Sequence, residues 1–179
     1  MRCAVELLPT PQDLVVLLKI VAMGPCAWRG IDLASQLSLS PSEVSGALER
    51  MRNCGLLDNT KRRVAASSLH EFLVHGLRFV FPAQMGAAAR GVPTAHSSAP
   101  MDKLVQGDGV VVWASSEGSL RGDSLEPLYP SAPAACLLDP ALHELLALTD
   151  CLRMGRTRER SLADRELKAR LDSYALQQP

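Results

Sequence analysis

The feature that most constrains the fold of this chain is a strongly capped helix that starts at Ser40. Ser40 is an N-cap residue, Pro41 takes the first helical position, and Glu43 completes a capping box. The apolar residues that follow recur at i, i+3, i+4 and i+7, and they are Val44, Ala47, Leu48 and Met51. Gly55 is the expected left-handed residue at the helix end. The pattern therefore predicts a surface helix that buries one narrow face and exposes the other.

Two further helices are predicted before this one. Thr10 and Pro11 form a helix start of the same kind, and Gly24-Pro25 ends that helix. Its apolar residues at helical spacing are Leu14, Leu17, Leu18 and Val21. A short helix fits residues 31–37, whose expected buried residues are Ile31, Leu33, Ala34 and Leu37. Two helices thus lead directly into the capped helix.

Short apolar stretches flank a polar turn after the capped helix. Residues 56–57 and 64–65 are apolar, and residues 58–63 between them read Asp-Asn-Thr-Lys-Arg-Arg. This pattern predicts a small β-hairpin with a basic turn. A further helix with capping-box spacing at its start is expected over 68–81, and Pro82 ends it.

The order of helix, short helix, capped helix and hairpin over residues 10–66 resembles the MarR-like winged-helix transcription regulators. Residues 31–40 are similar to the second helix, the turn and the start of the recognition helix in that family. Residues 41–51 are similar to the recognition helix, and residues 55–57 to the helix end and first wing strand. The resemblance implies a winged helix-turn-helix that binds double-stranded DNA as a homodimer, with the capped helix in the major groove.

Nine residues of this region are the candidate DNA contacts. A helical wheel places the polar residues of the capped helix on and beside the face opposite its apolar stripe, and Ser, Asn and Arg side chains suit base edges. The candidates are Ser42, Ser45, Glu49, Arg50, Arg52, Asn53, Lys61, Arg62 and Arg63. We expect Ser42, Ser45 and Arg50 to lie nearest to the bases. Arg52 and the basic turn 61–63 are expected to hold phosphates. Glu49 departs from this pattern, because a carboxylate accepts a hydrogen bond from cytosine N4 but repels phosphate.

The rest of the chain indicates a second, smaller unit. Residues 83–101 are rich in Ala, Gly, Pro, Ser and Thr and are interpreted as a loop or a boundary. The run 109–114 and Leu120, on either side of a turn, predict another hairpin. Helices are expected from Asp139 to about Met154 and from Gly155 towards the C-terminus.

The last of these helices is amphipathic. Its apolar face is a candidate dimerisation seam formed by Ala163, Leu167, Leu171 and Tyr174, and the helix at 139–154 is the alternative. The Lys and Arg residues on its other faces have three interpretations: they are exposed to solvent, they contact DNA phosphates, or they bind an acidic partner. The stretch from 79 to 130 resembles the extension of uncharacterised bacterial regulators, some of which accompany toxin–antitoxin or phage-defence genes.

These elements place the chain in a mainly α class with small β-hairpins (α+β). The expected organisation is an N-terminal winged helix-turn-helix over 1–66, a connecting helix over 67–82 and a smaller C-terminal domain over 83–179. That last domain, with a hairpin and two amphipathic helices, is expected to dimerise or to bind a protein partner or a small-molecule effector.

Charge is unevenly distributed, although 19 basic and 19 acidic residues cancel. The local net charge is +2 over residues 1–66, +1 over 67–99, −6 over 100–151 and +3 over 152–179. Because local patches bind phosphate and averages do not, zero net charge does not exclude a nucleic-acid partner.

Compartment and chemistry follow from the remaining residues. Five scattered cysteines without C-x-x-C spacing suit buried thiols in a reducing cytoplasm, and no signal or membrane-spanning segment is expected. His70 and His75 are spaced i, i+5, so they cannot share one metal from one helix. His96 lies beside serines but lacks a nucleophile elbow. We therefore expect no metal, no cofactor and no catalysis.

The sequence thus favours a cytoplasmic, dimeric bacterial repressor of its own or a neighbouring operon. The alternative is a protein-interaction module, such as an antitoxin or adaptor whose acidic middle segment masks a basic partner.

Overall fold

A computed structural model describes residues 8–178 of the chain, and it has the expected mixed α+β class, with about 57% helix. The helices are α1 (Pro11–Met23), α2 (Gly30–Leu37), α3 (Pro41–Asn53), α4 (Ala66–Glu71), α5 (Leu77–Val80), α6 (Met101–Leu104), α7 (Ala132–Leu138), α8 (Pro140–Met154) and α9 (Thr157–Leu176). A π-helical segment (Phe72–Gly76) joins α4 to α5, and a 3₁₀ turn (Ala95–Ser97) follows the first strand. The strands are β1 (Met85–Pro93), β2 (Val111–Ala114) and β3 (Leu120–Leu125).

The capping signals predicted for α1 and α3 are confirmed. At α3, Ser40 Oγ accepts a hydrogen bond from the Glu43 N–H at 3.2 Å, and Glu43 Oε2 accepts one from the Ser40 N–H at 2.7 Å. Thr10 and Asp13 form the same reciprocal pair at α1. Gly55, with φ of 77°, is left-handed as expected. The two bonds between Ser40 and Glu43 provide partners for backbone N–H groups at the start of α3. The bond that the Ser40 N–H donates is the main cause that lowers the pKa of the Glu43 carboxyl.

The predicted hairpin after α3 is present in a minimal form. Leu57 and Val64 pair as a single antiparallel bridge, and both side chains are buried. Asp58 holds the turn by accepting hydrogen bonds from the backbone N–H groups of residues 62 and 63, at 2.8 and 3.0 Å. We call residues 57–64 the hairpin.

The segment predicted as a loop, residues 83–101, instead contains β1, which pairs with both other strands of the sheet. β1 pairs antiparallel with β3, where Gly91 lies opposite Leu120, and with β2, where Gly91 lies opposite Ala114. β2 and β3 therefore run parallel to each other, and the predicted hairpin between them is wrong. Small residues such as Gly and Ala are uncommon in strands, so the sequence does not indicate β1. At Gly91, however, a β-carbon would lie 2.0 Å from the Trp113 carbonyl oxygen. The close approach of the β2 backbone thus accounts for a glycine at a position that the sequence pattern assigns to a loop.

One hydrophobic core runs through the described residues. The predicted helix from Asp139 is confirmed as α8, which packs on α1, α7 and α9. Polar contacts also join the two halves: Lys19 Nζ lies 2.5 Å from Asp139 Oδ2, and Ser131 Oγ donates a hydrogen bond to the Leu37 carbonyl at 2.6 Å. The boundaries expected near residues 66 and 83 therefore do not divide the core.

The residues expected to form a dimerisation seam lie inside the single chain. Ala163, Leu167, Leu171 and Tyr174 are at most 3% exposed, and their helix, α9, packs against α8 and α4. The expectation fails because amphipathic spacing identifies a buried face without identifying what covers it. The Tyr174 hydroxyl also accepts a hydrogen bond from the Val64 N–H at 3.1 Å, which ties α9 to the hairpin.

A buried charged pair fixes the sheet to α8. The Asp150 carboxylate accepts hydrogen bonds from the Trp113 indole at 2.7 Å and from the Thr94 hydroxyl at 2.8 Å. The Arg153 guanidinium donates to the same carboxylate at 2.7 Å and to the carbonyls of residues 81 and 82. Burial raises the pKa of Asp150, and these donors act against that rise.

Candidate nucleic-acid interface

The polar face of α3 is set by the rotation that its buried stripe imposes. Val44, Ala47, Leu48 and Met51 are buried, and α3 packs on α1 and α2. Ser42, Ser45 and Asn53 are consequently exposed on the other side, as the wheel predicts. Ser42 Oγ lies 3.0 Å from Ser40 Oγ, so its hydroxyl is held at the first turn of the helix.

Arg50 is not placed to read bases. Its guanidinium makes a bidentate pair with the fully buried Asp13, with Nε 2.8 Å and Nη2 2.6 Å from the two carboxylate oxygens. Asp13 holds the pKa of Arg50 above its ordinary value. Gly46 makes room for this side chain, since a β-carbon there would lie 3.2 Å from Arg50 Nη1. Arg50 therefore joins α3 to α1, and the expectation that it lies nearest to the bases is corrected.

Glu49 lies between two cations from two different elements. It pairs with Arg52, three residues further along α3, and with Lys61 in the turn of the hairpin. Lys61 has a left-handed backbone, with φ of 58°, and its N–H donates to the Asp58 carbonyl at 3.0 Å. The hydrogen bond from Lys61 is the main cause that lowers the pKa of Glu49. Arg52 also donates to the Asn53 side chain at 3.0 Å.

Arg62 is positioned by Trp28, a residue that sequence reasoning did not select. The Arg62 guanidinium lies 4.8 Å from the centre of the Trp28 ring, and its Nη1 donates to the Trp28 carbonyl at 2.7 Å. Cation–π stacking of this kind holds an arginine while leaving donors free. Arg63 is exposed beside it, and both arginines line an open cleft with residues 24–28. Arg62 and Trp28 are 34 residues apart along the chain, so no local pattern in the sequence indicates this contact.

The charges of α3 and the hairpin are largely compensated. Within residues 8–178, Arg62 and Arg63 are the cations of this surface without a carboxylate partner. The other cations form ion pairs: Arg29 with Asp32, Arg50 with Asp13, and Arg52 and Lys61 with Glu49. On this surface Arg62 and Arg63 can therefore bind an anion directly, whereas Arg52 and Lys61 must first leave Glu49.

One pair of side chains elsewhere has the spacing of a nucleophile and a base. Ser98 Oγ lies 3.3 Å from His143 Nε2. The same nitrogen lies 2.7 Å from the Pro93 carbonyl oxygen, and only a protonated ring nitrogen can bond to a carbonyl. Since His143 Nε2 donates there, it cannot take a proton from Ser98.

The other histidines do not converge. His70 is bonded to Asp164 at 2.7 Å, His75 is exposed, and His96 is bonded to the Gly109 carbonyl at 3.2 Å. Over residues 8–178 no group of three or more potential metal ligands occurs. Within the same range, no helix is both long and apolar enough to cross a membrane.

Comparison of the chain with protein families, with curated proteins and with solved structures finds no match.

Proposed function

We propose that this chain binds double-stranded DNA in a sequence-dependent way and acts as a dimeric repressor of its own or a neighbouring operon. One juxtaposition carries the proposal: the exposed polar face of α3 lies next to a hairpin that presents Arg62 and Arg63. The short connection from α2 to α3 and the packing of both helices on α1 support the proposal, because a helix-turn-helix that binds DNA presents the second of two such helices to the major groove.

The dimensions and chemistry of α3 suit a major groove. A helix of 13 residues is about 20 Å long, and the groove is about 12 Å wide. Ser42 and Ser45 lie in the N-terminal half, which usually contacts base edges, and hydroxyls can donate to or accept from any base. With Arg50 bound to Asp13, the side chains left to face bases are Ser42, Ser45, Glu49 and Asn53.

The double substitution Arg62→Ala/Arg63→Ala tests the hairpin. We expect it to weaken binding to all duplexes alike and to flatten the dependence of log K on log salt by about 0.9 for each lost phosphate contact. Fluorescence anisotropy with the DNA upstream of the gene and with an unrelated duplex, at two salt concentrations, measures both effects.

The matched control is Arg158→Ala/Arg165→Ala. Both arginines are exposed on α9, and Arg158 is about 24 Å along the helix axis from Tyr174, which contacts the hairpin. This control should bind as wild type does. If the wild-type protein binds no duplex at low salt, the proposal is wrong and a protein-interaction module becomes the better interpretation.

The dimer needs a surface other than the buried face of α9, and we propose the open edge of β1. β2 pairs with β1 only at residues 91–93, and the Ser115 N–H that donates to the Arg90 carbonyl extends this cover to residue 90. Because alternate residues direct backbone groups to opposite edges, the N–H and C=O of Ala88 face the same, uncovered side. No hydrogen bond within residues 8–178 occupies that edge at 86–88.

A second copy is the occupant that fits this edge. An antiparallel strand pairs with itself about a two-fold axis, so one surface suffices for both partners. The residues of the edge, Gly86, Ala87 and Ala88, are small and exposed, and Phe79, Val80 and Met85 nearby in the chain are exposed and apolar. A two-fold dimer would also present two α3 helices to two DNA half-sites.

A further inference from the structure

Glu49 forms ion pairs with two cations that would otherwise be free to bind DNA phosphates. Arg52 and Lys61 come from α3 and from the hairpin, and each ends on an oxygen of the same carboxylate. All three side chains are between 34% and 40% exposed, so water and anions reach the cluster. The three groups together carry one net positive charge, whereas Arg52 and Lys61 alone would carry two.

The position of Lys61 is built into the backbone. Its left-handed conformation and the contacts of Asp58 with the turn fix where the lysine leaves the hairpin. Asp58 Oδ2 also accepts a hydrogen bond from the Thr60 hydroxyl at 2.5 Å. The hairpin thus delivers an ammonium group to Glu49 on the polar face of α3.

A contribution to the stability of the fold does not explain this arrangement of Glu49 with Arg52 and Lys61. Ion pairs between exposed side chains contribute little to stability. A carboxylate on a surface that meets DNA opposes phosphates by repulsion and lowers the binding of every duplex. It gains a favourable contact only where a base offers an amino group, and in the major groove cytosine N4 is the donor that suits a carboxylate.

We propose that Glu49 is a specificity-determining residue that acts as an internal counter-ion for Arg52 and Lys61 in the free protein. At a site with cytosine opposite Glu49, the carboxylate accepts a hydrogen bond from N4, and the two cations turn to phosphates. At other sites Glu49 stays with its cations, and the protein binds through Arg62 and Arg63 alone. This inference rests on the proposed function.

The test compares Glu49→Gln with the charge-matched control Glu117→Gln. Glu117 is exposed between β2 and β3 and has no ion pair within residues 8–178. Binding to an unrelated duplex and to the upstream DNA is measured by anisotropy over a series of salt concentrations, and circular dichroism checks that each variant is folded.

We expect E49Q to bind the unrelated duplex roughly tenfold more tightly, with a salt dependence steeper by about 0.9 for each cation released. Its preference for the upstream DNA should shrink, and E117Q should match wild type. In the Arg52→Gln/Lys61→Gln background, adding E49Q should produce much less gain, because the cations it would release are gone.

Two results would overturn the inference in different ways. If wild type binds DNA but E49Q gains no more than E117Q does, Glu49 is not a counter-ion, and the proposed function stands. If wild type and every variant bind no duplex at low salt, the DNA-binding proposal itself fails and this inference fails with it.

Discussion

Arg50 and Arg52 are two residues apart on α3 and have opposite environments. Arg50 is bound to a carboxylate that no water reaches, whereas Arg52 shares an exposed carboxylate with Lys61. Breaking a buried pair leaves an uncompensated charge in the protein interior, while breaking an exposed pair changes little. The two arginines should therefore respond differently to the same substitution.

We expect Arg50→Met to lower the free energy of unfolding by about 3 kcal/mol, because Asp13 keeps only its hydrogen bonds at the helix start. Arg52→Met, the matched control, should cost less than about 1 kcal/mol. Urea unfolding followed by circular dichroism measures both. An R50M variant that unfolds like wild type but loses discrimination between operator bases would show that Arg50 leaves Asp13 to contact DNA.

The sequence shows which residues of α3 are polar but not which of them are free. The stripe and the capping box fix the rotation of the helix, so Ser42, Ser45 and Asn53 could be placed on its exposed face. The partners of Arg50 and Arg62 could not be found in this way, because Asp13 and Trp28 lie 37 and 34 residues away along the chain. Long-range pairing of charges depends on how helices pack, and spacing carries no such information.

At the scale of elements, local signals located the long helices α1, α3, α8 and α9, but they missed the short helices α6 and α7 and failed for the sheet. Thr10, Ser40 and Asp139 each mark a helix start through contacts within the next three residues. β1 has no comparable signal: its residues are small, and it becomes a strand through partners that come about 20 to 40 residues later. Strand preference reflects the packing of neighbouring strands more than the strand's own sequence.

The substitution Ala88→Pro tests the open edge of β1. Proline removes an N–H that faces away from β3, so pairing within the chain should persist while pairing with a second copy is blocked. We expect a dimer for wild type and a monomer for A88P by sedimentation velocity, with unchanged circular dichroism.

Ala88→Ser keeps the N–H and is the control, so it should remain dimeric. A wild-type protein that stays monomeric at every concentration reached, or an A88P variant that still dimerises, would place the dimer surface elsewhere or exclude it.

For the whole molecule, the shared core has a thermodynamic consequence. α8 contacts both α1 and α9, and the Asp150–Arg153 pair fixes the sheet to the same helix. Separate domains unfold separately, whereas elements that share a core unfold together. The sequence suggested three units because a stretch rich in Ala, Gly and Pro looked like a boundary.

We expect a single unfolding transition. Trp28 lies near the hairpin and Trp113 lies in the sheet, so Trp28→Phe and Trp113→Phe each leave one fluorophore to report on one half. In each variant the urea midpoint by fluorescence should coincide with that variant's own midpoint by circular dichroism.

The reactivity of the buried cysteines gives a second measurement of the unfolding transition. Burial raises the pKa of the Cys136 and Cys151 thiols well above the ordinary range, so both should be alkylated only as the chain unfolds, whereas Cys26 and Cys54 are exposed. Two separated midpoints, or early alkylation of one buried thiol, would restore the division into domains.

The hydrogen bond from Val64 to the Tyr174 hydroxyl makes the hairpin and the last turns of α9 thermodynamically linked. Any ligand that holds the hairpin in this position must stabilise the end of α9 against fraying, and by the same coupling free energy a loosened α9 must weaken that ligand. Slower amide exchange around Tyr174 on addition of DNA would register binding at a point that no base or phosphate touches.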